Sequence, residues 1–347
     1  MLENAVEHAV NRQWRLARRP VGMARESDFE WCEDRVPVPG PGQVLVRSEY
    51  LSVDPGSRVW MWPTDTAMPV QPIGTVMRGI AMGTVIASRC PTYPQGCTVQ
   101  GVLGWQDYAL AEGDGHALWR VPDAEHVTPE KRMTLCGHVG LAAYFGLLEI
   151  GQARLGETLV VSSAAGAVGS LVGQIGKLRG CRVVGIAGSR QKCRWLSDEL
   201  GFDAAIDYKS ESVFRRLQEL CPGGIDVYFD NVGGPLLEDA LANLNIGARV
   251  VACGMVSVYN DLAGVLSLPP GPNNLLNLTL RRSRMQGFLY SDYRARAEEV
   301  FHRLLAWHAQ GRLQVRTDTM EGLHQAPLAL NRLFDGSSCG KLIIRLS

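Results

Sequence analysis

"SSAAGAVGSLVGQIGKLRG", residues 162–180, decides how the second half of this chain is read. It overlaps an uncharged run from Thr158 to Gly176, which approaches the length of a bilayer span. The composition of that run speaks against a membrane. Ser162, Ser163, Ser170 and Gln174 interrupt it, as do Gly166, Gly169, Gly173 and Gly176. Its pattern also changes midway: "LVV" suits a strand, "SSAAGAVG" a tight turn, and "SLVGQIGKLRG" a helix ending at Gly180. A strand, a tight turn and a helix N-terminus together make an anion site. Small residues let a ligand approach the backbone, and free N–H groups and the helix dipole stabilise negative charge there.

Outward from this stretch, apolar strand candidates alternate with helical segments. They are "TLVVSS" (158–163), "RVVGIAG" (182–188), "AAIDY" (204–208), "IDVYFDNVG" (225–233), "ARVVACG" (248–254) and "RMQGFLY" (284–290). That rhythm predicts an α/β unit, a doubly wound parallel sheet covered on both faces. It opens near residue 130, where "TPE" (128–130) predicts a helix start with threonine as cap and proline in the first turn. Upstream, "QVLVRSEYLSV" (43–53), "IGTVMRGIAMGTVIAS" (73–88) and "GWQDYALAEG" (104–113) predict a mainly β domain. Downstream, a last helix is expected at about 292–310, then "RLQVRTD", a helix, and a closing strand "GKLIIRLS" that returns to the first domain. The expected division is 1–132, completed by 313–347, against 133–312.

The chain has 347 residues, 46% hydrophobic and 20% charged, enough for a large core. Thirty-five basic residues balance 35 acidic ones, so net charge offers no reason to expect nucleic acid or an anionic membrane as partner. The short basic run "RRSR" (281–284) reads as a solvated or salt-bridged edge. Nine cysteines without a CxxC pair fit a reduced cytoplasmic protein and make a structural zinc site improbable. "MLENAVEHAVNRQWRLARRP" (1–20) has no apolar core of the kind a secretory signal carries.

The turn reads Ala164, Ala165, Gly166, Ala167, Val168, Gly169, a partial match to GxGxxG with alanine in the first glycine place. In its βαβ context this is a dinucleotide pyrophosphate site. NAD-binding folds carry an acid about 20 residues on, at the end of the second strand. Here Gly188, Ser189, Arg190 and Lys192 stand there without an acid, and a cationic pocket favours the 2′-phosphate of NADP(H).

Over nearly its whole length the chain resembles the zinc-independent medium-chain dehydrogenase/reductases. The likeness is to the branch of prostaglandin reductases, leukotriene dehydrogenases and alkenal double-bond reductases. The motifs include "NRQWRLARRPVG" (11–22), "EYLSVDPGSR" (49–58), "GLAAYFGLLEIG" (140–151), "GFDAAIDYK" (201–209), "FDNVGG" (229–234) and "GMVSVYN" (254–260). The resemblance implies a GroES-like β domain beside the dinucleotide-binding domain, and commonly a homodimer in which 284–290 pairs across the interface. It places Gly166 to Gly169 on the pyrophosphate, Lys192 on the 2′-phosphate, Tyr208 at the adenosine end and Asn231 near the nicotinamide ribose. Cys253, Gly254, Ser257 and Tyr259 would border the nicotinamide. Phe288, Leu289 and Tyr290 would pass along the cofactor, and Ser338 would touch it where relatives often have asparagine.

Zinc alcohol dehydrogenases of the same superfamily use a Cys/His/Glu cluster. Here Cys136 and His138 are the nearest candidates and no "GHE" follows the early strands, so no metal is expected. A hydrogen-bond donor must then face the carbonyl oxygen as it gains charge. Tyr259 is the expected catalytic residue, since a phenol donates yet seldom ionises near neutrality. The expected reaction is NADPH-dependent reduction of the C=C bond of an α,β-unsaturated aldehyde or ketone. A quinone or carbonyl reductase, or a non-catalytic NADPH-binding protein, are the alternatives. In the expected substrate pocket, Gly56 and Ser57 replace bulkier family residues, Trp60 follows, and His138 stands where relatives often carry methionine.

Overall fold

The computed structural model of this protein describes residues 9–115, 117–260 and 271–346. The first eight residues, part of the N-terminal stretch read above, lie outside them.

The first half is built of strands. An antiparallel hairpin of β1 (Val10–Leu16) and β2 (Phe29–Arg35) packs on a seven-stranded sheet. That sheet starts with β3 (Gln43–Ser52), which runs into the short helix α1 (Gly56–Trp60). It continues through β4 (Ile80–Ser88), β5 (Thr98–Val102), β6 (Tyr108–Glu112) and β7 (Leu118–Arg120). Residues 73–79, expected to join the strand at 80, do not: the stretch begins with a turn, and Val76 bridges Arg15 of β1 instead. Gly74 has a φ of +80°, and Arg78 N–H is bonded to the Gln71 side chain rather than to a ladder.

α2 (Pro129–Leu135) begins where the sequence placed it, with Thr128 before the first turn and Pro129 inside it. The expected threonine cap is not made. The Thr128 side chain is instead engaged with the Glu130 carboxylate. α3 (His138–Phe145) follows and extends through a wider turn to Ile150. Pro129–Ile150 is the one helical stretch among the described residues with the length and apolarity to cross a membrane, yet 83% of its most apolar window is buried inside the protein.

Then strands and helices alternate as expected: β8 (Thr158–Val161), α4 (Ala167–Leu178), β9 (Arg182–Ala187), α5 (Arg190–Arg194), β10 (Ala204–Asp207), α6 (Val213–Leu220), β11 (Ile225–Asp230), α7 (Gly234–Ala242), β12 (Leu244–Ala252), α8 (Leu276–Leu280) and β13 (Arg284–Gly287). All six strands are parallel, in the order β10-β9-β8-β11-β12-β13. The two-residue period divides their side chains. Leu159, Val161, Val183, Val227 and Phe229 bury one face against α3 and α4, and Val160, Val184, Ile206 and Tyr228 bury the other. The strand order reverses between β8 and β11, and such reversals open a crevice at the carboxyl edge where ligands bind.

The last long helix, α9 (Ala297–Ala309), starts later than expected, because Tyr290–Arg296 forms tighter turns. β14 (Thr317–Glu321) likewise starts near the end of "RLQVRTD". After α10 (Ala326–Arg332), β15 (Lys341–Arg345) closes the chain, pairing parallel with β14 and antiparallel with β3 (Ile343 opposite Ser52). The C-terminus is therefore part of the first sheet.

The opening stretch is a packed turn and helix, not a span. Ser163 takes a left-handed conformation, φ +48°, at the turn. A Cβ on Gly169 would lie 2.4 Å from Ser163 O, on Gly173 1.9 Å from the Phe202 ring, and on Gly176 2.4 Å from Leu159. The glycine face of α4 lets the helix lie against the turn and sheet at backbone distance. Gly180, φ +79°, ends it: Cys181 N–H bonds Gly176 O and Gly180 N–H bonds Lys177 O. We expect Gly169→Ala to cost about 1–3 kcal/mol of stability by overpacking, read as a lower urea midpoint. An unchanged midpoint would show that the turn yields freely.

Candidate active site

Gly166, Ala167, Val168 and Gly169 open α4, and Gly166, its cap, offers no side chain to the first-turn N–H groups. Those donors lack intrahelical partners by geometry and face the crevice. The C-terminal segment borders the same turn: Gly340 N–H donates to Ala165 O at 2.8 Å, and Gly340 pairs with Gly166. Ser338 lies two residues earlier on this segment.

At the end of β9, Ser189 Oγ accepts the Lys192 N–H and caps α5. Lys192 Nζ donates to Gly336 O at 2.7 Å. Burial pushes the Lys192 ammonium below its usual range. Ser189, Lys192, Trp195, Arg316, Gly336 and Ser337 line a cleft of ≈ 430 Å³. Arg316, whose guanidinium stacks on Trp195 at 5.4 Å, was not singled out from sequence. It enters from the segment before β14, and no local motif marks it. Tyr208 lies across Gly188, where a Cβ would come within 2.9 Å of its ring. Arg190 is not brought into this cleft; with Arg194, Asp207 and Glu211 it lines a separate one.

The ends of β8, β11 and β12 are tied together. Asn231 Nδ2 donates to Ser162 O at 2.8 Å, and the Ser162 hydroxyl donates to buried Asp230. Cys253 N–H and Gly254 N–H both donate to Asp230 O, and Ser257 Oγ to Val232 O. Burial pushes the Cys253 thiol up to about 12, so it stays protonated. Tyr259 closes this loop: its phenol oxygen accepts the Met255 N–H at 3.1 Å, leaving its own proton to donate. Burial raises the Tyr259 hydroxyl above its ordinary range.

The first domain supplies the facing wall. Trp62 Nε1 donates to Tyr259 O at 3.3 Å, its ring edge-on to the tyrosine at 6.2 Å. Buried Arg58 reaches Asn260 Oδ1 and the carbonyls of Pro20 and Gly22. Gly56 has open space where a side chain would project. Ser57 is buried, and Trp60 packs toward the β-domain core. On the rim beyond β13, Leu289 is exposed, and Tyr290 packs on His138 with ring centres 5.8 Å apart. The Phe288 ring turns inward, against Gly146 and Phe229, so only its backbone follows the rim.

No three His, Cys, Asp or Glu side chains are grouped to hold a metal among the described residues. Cys136 is buried, with its thiol pushed up to about 12 by burial. His138 is bonded to Asp54. This donor set does not fit a zinc site.

A doubly wound sheet with a glycine turn at its reversal, facing an antiparallel β domain, defines a dinucleotide-dependent oxidoreductase of the medium-chain class. Residues 12–121 match the family "N-terminal domain of oxidoreductase" and residues 167–307 the family "Zinc-binding dehydrogenase". The chain is 41% identical to the NADPH-dependent curcumin reductase of Escherichia coli (strain K12), covering 97% of each. It is 36% identical to prostaglandin reductase 1 of Bos taurus, over 96% of this chain and 98% of that protein. The structure of CurA from Vibrio vulnificus in complex with NADPH superposes with a TM-score of 0.88 at 40% identity, covering 97% of this chain and 99% of that one. The chain belongs to the zinc-independent branch of the medium-chain dehydrogenase/reductases.

Proposed function

We propose that this protein reduces the C=C bond of an α,β-unsaturated ketone or aldehyde with NADPH. The observation that carries the proposal is the Tyr259 hydroxyl. It is polarised by the Met255 N–H, held between Trp62 and the β12 loop, and placed at the carboxyl edge beside the strand-order reversal.

NADP(H) is the coenzyme. The α4 N-terminus holds its pyrophosphate, Lys192 with Ser189 and Arg316 its 2′-phosphate, and Tyr208 its adenosine end. Asn231, Cys253, Gly254, Ser257 and the backbone of Phe288–Tyr290 border the nicotinamide half, with Ser338 alongside. Bound there, NADPH supplies the hydride that reduces the β-carbon. Tyr259 donates its hydrogen bond to the carbonyl oxygen as charge develops, a role that grows in the transition state. Gly56 leaves room for a bulky substrate beside α1. The exposed edge of β13 supports a homodimer, and nine free cysteines support a reduced, cytoplasmic setting.

The test offers an enone, a quinone and a saturated ketone with NADPH and identifies the products. A saturated ketone formed from the enone is expected; hydroquinone as the sole product overturns the proposal. Lys192→Ala is expected to raise the NADPH dissociation constant about 10- to 100-fold, the loss of one charged hydrogen bond, with NADH binding unchanged. Equal weakening of both coenzymes by calorimetry would remove Lys192 from the 2′-phosphate.

A further inference from the structure

Saturating a C=C bond consumes one hydride and one proton, and Tyr259, bound to the carbonyl oxygen, delivers neither to carbon. A buried polar cluster on the opposite wall is built for the second task. Asp54 follows β3, Lys341 opens β15 and His138 opens α3. Asp54 Oδ1 accepts from Lys341 Nζ at 2.9 Å and is 2.8 Å from His138 Nε2; Oδ2 accepts from Ser52 Oγ at 2.5 Å. Lys341 Nζ also donates to Val53 O at 2.7 Å. The cluster adjoins the coenzyme crevice, because Lys341 directly follows Gly340, which is bonded to the phosphate turn. His138 stands between it and Tyr290 on the rim.

Burial alone would push the Asp54 carboxyl up. Positive charge at His138 and Lys341, with hydrogen bonds from His138 and Ser52, outweighs burial and holds it below the usual carboxylate range. An ionised carboxylate only accepts, so His138 Nε2 carries a hydrogen. The other nitrogen, Nδ1, is buried and has no hydrogen-bond partner. The buried Gln100 amide, also unpartnered, lies against the preceding Gly137, where a Cβ would come 2.3 Å from its Nε2. The Gln100 amide and His138 Nδ1 are thus left unpartnered beside consecutive residues, and a buried polar group left so calls for a water, an ion or a catalytic use.

We propose that His138 is the general acid that protonates the α-carbon, held in register by Asp54 and Lys341 as positioning residues. The proposal rests on the enone reading above. After hydride reaches the β-carbon, the electron pair of the enolate takes the Nδ1 proton of the doubly protonated, cationic His138 ring and forms the α-carbon–hydrogen bond. The Nδ1–H bonding pair stays on nitrogen, and the neutral ring regains a proton from water. The titratable and charged groups facing the ring are Asp54 after β3, Lys341 on β15, and Tyr290 with Arg294 behind it on the Tyr290–Arg296 turn.

The test compares wild type, His138→Gln and Asp54→Asn with NADPH and benzylideneacetone, in light and heavy water, with NADPH and its 4-deuterated form. His138→Gln is expected to lower kcat about 100-fold, to raise the solvent isotope effect and to suppress the coenzyme isotope effect, with NADPH affinity unchanged. A nitrogen-15 NMR pH titration of wild type, free and with NADP+, is expected to show the cationic His138 ring losing its Nδ1 proton to give the Nε2–H tautomer, and Asp54→Asn to lose that preference. A His138→Gln enzyme with unchanged kcat and isotope effects overturns the proposal. So does a fall in NADPH affinity and melting temperature in step with kcat, which makes His138 structural, or a wild-type ring found as its Nδ1–H tautomer. A wild type inert toward every enone overturns the enone reading and this proposal together.

Discussion

Tyr259→Phe is expected to lower kcat for an enone about 10²- to 10³-fold, the loss recorded when a single donor to a developing oxyanion is removed. The change deletes one oxygen and keeps the ring, so the edge-on contact with Trp62 at 6.2 Å is retained. NADPH affinity should stay the same, since the hydroxyl's mapped partner is the Met255 N–H. Burial holds the hydroxyl protonated above its ordinary range, so the wild-type donor is present through neutral pH. The measurement is steady-state turnover beside an NADPH titration. Unchanged turnover removes Tyr259 from the chemistry, and parallel loss of both quantities makes it part of the loop's architecture.

Lys341→Met is expected to destabilise the fold by about 3–5 kcal/mol, the range for stripping one partner from a buried ion pair. The Lys341 side chain is 2% exposed, and its ammonium is the closest cation to Asp54 apart from the His138 ring. Methionine preserves the apolar stem and removes the charge, which leaves the carboxylate in place without its lysine counter-ion. The sign of the pH dependence follows. Asp54 is depressed in the folded protein, so its contribution is present above the ordinary carboxylate range and fades as pH falls. The stability gap between wild type and variant should therefore be widest near neutrality and shrink in acid. Urea unfolding at several pH values measures it; a gap that is small and independent of pH would mean that the pair adds little.

The glycine turn was legible because its signals are local. Strand, turn and helix follow one another within a single stretch; Gly166 and Gly169 answer Ser163 close by and Gly180 a left-handed φ, whereas Gly173 and Gly176 answer Phe202 and Leu159 across the packing. Lys192 was legible for the same reason, standing one short step past a strand end. Arg316 was not, since its place in the cleft depends on how β14 meets the second unit. Phe288 was expected along the cofactor, but no local pattern could say that its ring turns toward Gly146 and Phe229. Thr128 had the right place for a cap, but its side chain makes no cap hydrogen bond.

His138 shows the same limit most clearly. Read along the chain it was a lone histidine two residues after a cysteine, and a metal ligand or a pocket wall were the roles in view. Its partner Asp54 lies 84 residues away, and the lysine that fixes that carboxylate lies 287 residues from Asp54. The amino-acid order alone established the alternating parallel sheet, the mainly β first domain, the glycine turn and the basic residues that follow β9, because periodicity, propensity and backbone freedom act over a few neighbours. The tertiary structure alone decided which charges share a buried site, because strand pairing brings β3, β15 and the start of α3 to one point, and burial there makes the pairing of charge obligatory.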